Sequence, residues 1–539
     1  MLSFDSSTYP YPSRRRVIFG THGMVCTGQP LAAQAGLRML LQGGNAVDAA
    51  IATAITLTVV EPTANGLGSD AFALVWMKDD HKLYGLNGSG PAPMKLSREV
   101  LAEKGITDVV PDRGWIPVTV PGAASAWATL HKRFGRLPFA KLFEPAIEYA
   151  TEGYGVSPIC HQLWVAAEKL FAKYKDDTAF AGWFQTFLGK GHAPECGERV
   201  VLPDHARTLR KLAETYCESF YRGEIAEAID TFSQKTGGYI RKDDLAAYHA
   251  QWVDPITVNY RGYNVWEIPP NGHGITALMA LNIMKGFTLG EKESVDTYHK
   301  EIEALKLAFS DAKQYVADPR FMKTKVADML SDEYAAKRRS LIGDKAIMPT
   351  YGKPFSGGTV YLCTADGEGN MVSFIQSNFK GFGSGIVIPG WGLALNDRGH
   401  NFSLDPARDN CLAPGKKPYH TIIPGFVTKD GEAVGPFGVM GGFMQPQGHL
   451  QVLVNTLDYH MNPQAALDAP RWQWIEGKKI EIEAGVAPEI IEGLRQRGHE
   501  VIVKQDTVSF GRCQIIWRQP DGILCGATEP RTDGTVAAF

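Results

Sequence analysis

The sequence predicts a mixed chain of the α/β (α+β) class, helix-rich over its first part and strand-rich over its last. Three observations predict it. Apolar residues recur at helical spacing through most of the chain before residue 345, and strand-like apolar runs bounded by turn residues set in at Thr359. Between them lies a stretch carrying prolines and glycines with no periodicity. A 539-residue chain that is 44% hydrophobic and 21% charged can bury a large core, which excludes disorder of the whole. Length alone allows roughly three or four average domains, so the domain count rests on what the linker does.

The first predicted helix occupies residues 29–45, QPLAAQAGLRMLLQGGN, where Gly43 and Gly44 supply the stop. Asp48 opens a second helix through the most apolar run, residues 49–60, too short and too threonine-rich to cross a bilayer and therefore expected to be buried. A short strand is predicted at 72–77, and further helices at 123–133, 139–152, 206–219 and 294–317. Residues 345–358 read as the linker. Thr359 then begins a β-hairpin, TVYLCTADG and NMVSFIQSNF, joined by the turn 366–370. Later strands are expected at 393–396, 421–428, 433–439, 501–504 and 514–518, with one helix at 447–459.

Charge and motif content exclude several functions. With 55 Lys+Arg against 58 Asp+Glu, the net charge of −3 gives no electrostatic reason for a nucleic-acid or anionic-membrane partner. The Arg14 to Arg16 run reads as a solvated segment. The eight cysteines, Cys26, Cys160, Cys196, Cys217, Cys363, Cys411, Cys513 and Cys525, have no zinc-ribbon or CxxC spacing and read as scattered reduced thiols. No apolar run of signal-peptide length follows the N-terminal arginines, which predicts a cytoplasmic protein. The G-x-S-x-G elbow, the P-loop, G-x-G-x-x-G and H-E-x-x-H are all missing. His273 and His449 are read as satisfied polar residues and not as metal ligands.

One junction carries chemistry: Ser356-Gly357-Gly358-Thr359-Val360-Tyr361, where the linker meets a strand at a hydroxyl residue. A threonine hydroxyl is a weak nucleophile. Were Thr359 a new N-terminus, its own α-amine, with a reference pKa of about 7.7–8.0, could act as the base. Gly358 would permit the backbone geometry that an N-to-O acyl shift requires. From the tripeptide alone, an ordinary turn before a strand is the plainer reading.

Longer stretches change that weighting. GGNAVDAAIA from Gly43, VPGAASAW from Val120, LPFAKLFEPAIEYATEGY from Leu137 and FYRGEIAEAI from Phe220 resemble the large-subunit pattern of the γ-glutamyltransferase family. Thr359 with DGEGNMVSF, FGSGI from Phe382, MGGF from Met440, DAPRW from Asp468 and the terminal GATEPRTDG resemble its small-subunit pattern, in the same order. The resemblance implies an N-terminal-nucleophile hydrolase with a four-layer αββα sandwich. It implies one precursor, cut autocatalytically between Gly358 and Thr359 into a large subunit, 1–358, and a small subunit, 359–539, that share one intertwined domain. In this pattern the new N-terminal threonine attacks an amide carbonyl, forms an acyl-enzyme and passes the acyl group to water or an amine. Gly441 and Gly442 match the oxyanion-hole glycines, whose N–H groups meet the developing charge. Ser377 matches a hydroxyl beside the nucleophile, and Asn396 an asparagine lining the acyl pocket. The implied partners are a small-molecule amide and the two subunits of one precursor, with a homo-oligomer of that heterodimer allowed. No metal or organic cofactor is implied, because nucleophile and base reside on one residue.

The match breaks at the substrate end. Ser89 stands where the family carries the arginine for the substrate α-carboxylate, and Asn401 stands where it carries an acidic residue for the α-amine. His420-Thr421 replaces a Ser-Ser pair, Val360 replaces a second threonine, and Arg398 and His400 are charged or titratable where the family is neutral or acidic. Cleavage chemistry persists while the zwitterion-binding groups are lost. Arg398 can receive a carboxylate in fork geometry, or it forms a structural ion pair with Asp397 or Asp405. Three readings follow: a γ-glutamyl or glutathione hydrolase-like enzyme, an amidohydrolase of a dicarboxylic acid monoamide of the oxamate or glutaryl type, and a non-catalytic ligand-binding relative. Joint retention of Thr359, Gly441 and Gly442 argues against the third.

Overall fold

A computed structural model of the chain describes residues 15–349 and 358–539. Most of the predicted linker, 350–357, lies outside the described residues, and Gly358 already belongs to a strand.

Alternation along that strand sets the architecture. In Gly358–Asp366 the side chains of Tyr361, Cys363 and Ala365 enter one apolar core, while Val360 and Leu362 enter another, so both faces of the strand are covered. Its sheet runs in the spatial order Thr535–Ala538, Gly23–Thr27, Gly358–Asp366, Met371–Phe379, Asp70–Met77, Lys82–Gly88, Gln251–Val253, with every pairing antiparallel. A second antiparallel sheet has the order Ile18–Gly20, Leu524–Thr528, Arg512–Arg518, Glu432–Met440, Gly425–Lys429, Tyr263–Glu267, Ile256–Tyr260. The sheets face one another across a core that includes Phe72, Tyr361, Phe426 and Ile516. Helices cover both outer faces, giving the four-layer αββα sandwich. Each sheet takes strands from both sides of residue 358.

On one outer face lies the helix Ala46–Val60, every residue of which is buried. Asn45 caps it, its Oδ1 accepting the N–H groups of Val47 and Asp48, while Asp48 Oδ2 accepts the Asn45 N–H at 3.0 Å. Asp48 is thus the third helical residue and not the first. Thr53, Thr56 and Thr58 donate their hydroxyls to carbonyls one turn back, at 2.6–2.7 Å, which lets threonines sit in an apolar layer. The other outer face carries Gly274–Met284, Val295–Tyr315 and Met444–Leu457.

Some predicted bounds shift for local reasons. The helix expected over 206–219 spans Pro203–Glu214 and stops where Tyr216 and Cys217 take φ of 53° and 64°; a short helix restarts at Glu218–Arg222. The stretch 139–152 divides into a 3₁₀ turn, Phe139–Phe143, and a helix, Glu144–Glu152, with Pro145 in its first turn. Only Leu393–Ala394 and Gly425–Lys429 are strand within 393–396 and 421–428. Of the Arg14 to Arg16 run, Arg14 lies outside the described residues, Arg16 is exposed, and Arg15 is half-buried, its guanidinium donating to the carbonyls of Glu529, Thr532 and Gly534 at 3.0–3.4 Å.

Two of the recognised motifs prove structural. Arg471 of DAPRW and Arg531 of the terminal segment both hold the buried Glu529, at 2.7 and 2.5 Å, and Arg531 also grips Glu483 with two bonds of 2.6 Å. These bonds tie the C-terminal segment to the strands around 471–483. All eight cysteines are free thiols, and among the described residues no helix is long and apolar enough to cross a membrane.

Candidate active site

Thr359 sits where its strand slips in register: Gly358 pairs with Phe379, but Val360 pairs with Gln376. Period-two alternation from Tyr361 and Cys363 turns its side chain toward the space between the sheets, where it is fully buried. Thr359 Oγ1 donates to Ser377 Oγ at 3.1 Å, and Ser377 Oγ also accepts the Phe379 N–H at 2.7 Å. Gln445 Nε2 reaches Thr359 Oγ1 at 3.5 Å from the first turn of Met444–Leu457, its Oε1 fixed by the Ile423 N–H at 2.9 Å.

Gly441 and Gly442 form the turn between the strand Glu432–Met440 and that helix. Their φ values, 132° and 60°, are the conformations that glycine adopts at no steric cost. Their carbonyls accept the N–H groups of Met444 and Gln445 at 3.0 and 3.2 Å. Neither glycine N–H is taken by a backbone carbonyl among the described residues, which leaves two donors beside a helix N-terminus.

The predicted substrate residues divide into a charged cluster and a supporting frame. Arg398 is fully buried. Its Nη1 donates to Thr421 Oγ1 at 2.6 Å, its Nε lies 3.7 Å from Asp70 Oδ2, and its guanidinium covers the Phe379 ring at 4.7 Å. Nε and Nη2 make no hydrogen bond among the described residues. The ion-pair partner is therefore Asp70, neither Asp397 nor Asp405: Asp397 pairs with Arg113 at 3.0 Å, and Asp405 lies 3.8 Å from Arg408. His420 Nε2 also meets Asp70 Oδ2, at 3.0 Å. Burial pushes the Asp70 carboxyl up to about 7, with Arg398 opposing it, and lowers Arg398 to about 10. Burial holds His420 well below the usual histidine range, so a neutral imidazole donates to Asp70. Asp70 pairs in register with Ser377, which places this cluster one residue pair from the nucleophile.

Asn396 forms part of the frame. Its Oδ1 accepts from Thr119 Oγ1 at 2.9 Å and from the Arg398 N–H at 3.1 Å, and its Nδ2 donates to the carbonyls of Gly68 and Thr119. Every polar atom of this amide is engaged in shaping the turn that carries Arg398. Asn401 closes the same 3₁₀ turn, Arg398–Asn401, and its Nδ2 makes no hydrogen bond among the described residues. Ser89 is committed to a network with Asn87 and Asn271, at 2.7 and 3.3 Å. His400 bonds the Val110 carbonyl and Lys380. Val360 points into the helix-facing core. His273 and His449 are satisfied within the fold, by Thr421 and Tyr419 and by Glu267 and Val439 respectively.

Sequence reasoning missed Asp70, Gln445 and the Glu61–Arg512 pair. Asp70 was visible only as the polar residue before a predicted strand, and Gln445 belongs to no motif. Glu61 and Arg512, 3.7 Å apart, border with Thr359 a small cavity of about 10 Å3. A larger cavity, about 490 Å3, opens beside Gly441 and Met440.

Comparison with known proteins places these features in context. The family model for Gamma-glutamyltranspeptidase matches residues 32–539. The chain is 36% identical to the glutathione hydrolase-like YwrD proenzyme of Bacillus subtilis over 534 residues, covering 97% of this chain and 99% of that one. It is 34% identical to the oxamate amidohydrolase proenzyme of Klebsiella pneumoniae over 531 residues, covering 96% and 99%. The crystal structure of a cephalosporin acylase from Bacillus halodurans superposes with a TM-score of 0.97 at 58% identity, covering 100% of this chain and 99% of that one.

Proposed function

Because this chain belongs to the gamma-glutamyltranspeptidase family and is an amide hydrolase/acyltransferase of that kind, made as a precursor of two subunits, we propose that the cut falls between Gly358 and Thr359 and that the enzyme hydrolyses small amides whose acyl half ends in a carboxylate. After the cut, the α-amine of Thr359 takes the proton of its own hydroxyl as Oγ attacks the amide carbon. The oxyanion points at the N–H groups of Gly441 and Gly442, and Ser377 and Gln445 orient Oγ. The amine departs with the transferred proton, and water or a second amine releases the acyl group. Eight free thiols support a reducing compartment, the cytoplasm.

The observation that carries the acyl preference is Arg398: a buried guanidinium beside Asp70, the register partner of Ser377, with two donors that make no hydrogen bond among the described residues. A carboxylate in fork geometry would satisfy both. Ser89 is already engaged and Asn401 is uncharged, so these positions offer no ion pair to an α-amino acid head group. The oxamate amidohydrolase and cephalosporin acylase among the similar chains support the same direction. A γ-glutamyl substrate is the second reading, supported by Asp70, whose Oδ1 makes no hydrogen bond among the described residues and could pair with an ammonium. A panel of glutaryl-p-nitroanilide, γ-glutamyl-p-nitroanilide and oxamate on processed enzyme decides between them. Faster turnover of the glutaryl compound or of oxamate is expected; faster turnover of the glutamyl compound overturns the acyl assignment.

A further inference from the structure

We propose that Glu61, with Arg512 as its counter-charge, holds the backbone nitrogen of Thr359 through one buried water and thereby sets the protonation of the α-amine that acts as base. This rests on the cut before Thr359 assigned above and supplies what that reading leaves open, the group that governs the base.

Strand alternation aims the nitrogen. Thr27 Oγ1 donates to the Tyr361 carbonyl at 3.2 Å, whereas the Asp366 N–H donates to the Asn370 carbonyl across the hairpin at 3.1 Å. Odd-numbered residues of Gly358–Asp366 therefore turn their backbone groups toward Gly23–Thr27, and even-numbered ones toward Met371–Phe379. Thr359, two residues before Tyr361, directs its nitrogen past the end of Gly23–Thr27. There the cavity of about 10 Å3 opens, its border including Gly28, Glu61, Thr359, Arg512, Gln514 and Thr532. Its size is that of a single water. A Cβ on Gly28 would stand 3.5 Å from Glu61 Oε2, so that oxygen lies at the strand's end.

The polar atoms around this space are left over by the rest of the fold. Glu61 Oε2, Arg512 Nε and Nη1, and Gln514 Oε1 make no hydrogen bond among the described residues, and the three side chains belong to residues 5%, 5% and 1% exposed. Elsewhere in the molecule buried arginine–glutamate pairs close fully, Arg471 on Glu529 at 2.7 Å and Arg531 on Glu483 at 2.6 Å. Arg512 Nη1 instead stops 3.7 Å from Glu61 Oε1. Glu61 also follows the last residue of the helix Ala46–Val60, the end whose dipole disfavours a carboxylate. A pair built for stability would close and sit elsewhere. Acceptor oxygens and guanidinium N–H groups around a water-sized space are the partners an ordered water takes.

The groups facing Glu61 fix its charge. Burial raises its carboxyl to about 7, with Arg512 opposing and Asp533 adding. Asp533 comes from the C-terminal segment, its carboxylate accepting the Ile159 and Cys160 N–H groups at 3.1–3.3 Å. The Cys160 thiol, pushed up by burial, stays protonated. An α-amine of reference pKa about 7.7–8.0 thus titrates in the same range as Glu61, and the two share protons.

The step served is the attack. As Thr359 Oγ bonds to the amide carbon, its proton moves to the α-amine. Glu61 stabilises the resulting ammonium through the water, and Arg512 limits that stabilisation so that the proton can be given up. The proton passes to the amide nitrogen, the C–N bond breaks, and the α-amine and carboxylate return to their starting states. Glu61 touches no substrate atom and is a positioning residue.

Processed enzyme whose smaller chain begins at Thr359 by sequencing tests this. An uncut wild type would overturn the cut, and this reading with it; a cut wild type leaves Glu61 to be judged alone. The acid limb of kcat/KM reports the base of the free enzyme. Glu61→Gln is expected to move that limb down by about one pH unit and to lower kcat on the plateau about ten-fold, with KM within about two-fold. Arg512→Gln, which leaves the carboxylate unopposed, is expected to move the limb up by about one pH unit. Lost packing alone would lower activity without displacing the limb. Opposite displacements support the assignment, and any other pattern overturns it. A crystal structure of the processed wild type, at a resolution that shows waters, needs neither variant to mature. One ordered water bonded to the Thr359 nitrogen, Glu61 Oε2 and Gln514 Oε1 is expected, and a cavity without it overturns the proposal.

Discussion

Asp70 and Arg398 lie 3.7 Å apart, both fully buried, one on a strand of the sheet that carries Thr359 and the other on the 3₁₀ turn that follows it in sequence. Asp70 offers a weak, long ion pair and His420 shares its Oδ2 at 3.0 Å, so the guanidinium is held without being saturated. That incomplete pairing is what a substrate carboxylate would complete, and several measurable consequences follow from it and from its neighbours.

Removing the guanidinium should cost binding selectively. Arg398→Ala is expected to raise KM for glutaryl-p-nitroanilide by roughly 30-fold, about 2 kcal/mol for a charge-assisted bond, and to affect an uncharged acyl anilide far less. Steady-state kinetics on the two substrates checks it. Equal losses on both would assign Arg398 a purely structural role.

The pairing should also be pH-dependent. Burial raises Asp70 from its ordinary value to about 7, so the carboxyl takes up a proton as pH falls through that value while Arg398, near 10, stays charged. With Asp70 neutral, Arg398 loses its ion-pair partner and binds a substrate carboxylate more tightly. KM for the carboxylate-bearing acyl group is expected to rise as pH climbs through about 7, and Asp70→Asn should flatten that step. A KM profile indifferent to both would contradict the coupling.

Ser377 should matter for rate more than for affinity. Its hydroxyl accepts from Thr359 Oγ1 at 3.1 Å, the atom that attacks, so Ser377→Ala is expected to lower kcat by about 10²-fold and to slow self-cleavage, with KM little changed. Gln445→Ala, at the longer distance of 3.5 Å, should have a smaller effect in the same direction. Single-turnover rates and gel time courses measure both.

What could be read in advance and what could not separates along the chain. Thr359, Ser377, Gly441 and Gly442 lie within short local patterns, and the helix Ala46–Val60 declares itself because each of its residues after the capping Asp48 is apolar, small or a self-bonding threonine. Asp70 and Arg512 could not be found that way. Asp70 is a lone acid in GSDAF until sheet pairing sets it opposite Ser377, and Arg512 gains meaning only when register places it beside Met440 and the cavity. The predicted partners of Arg398 failed for the same reason: sequence neighbours Asp397 and Asp405 are drawn to Arg113 and Arg408, and the true neighbour arrives from another strand.

The motif residues that turned out structural give a stability prediction. Burial opposes ionisation of Glu529, but Arg471 and Arg531 hold its carboxyl below the usual glutamate range. Its lowered folded value means that its stabilising contribution is present above the ordinary glutamate range and is lost as pH falls through the folded value. Glu529→Gln leaves the buried Arg471 without its anion and Arg531 with Glu483 alone, and is expected to cost about 3–5 kcal/mol. Thermal and acid unfolding of the variant beside the wild type checks this, and unchanged midpoints would contradict it.

The central claim is that Thr359 is a nucleophile that the chain creates by cutting itself. Intact mass and N-terminal sequencing of purified wild type and Thr359→Ala, after prolonged incubation, test it most directly. Wild type is expected as two chains, the smaller beginning at Thr359, with the variant uncut and inactive. An uncut, active wild type, or a variant cleaved normally at the same bond, would contradict it.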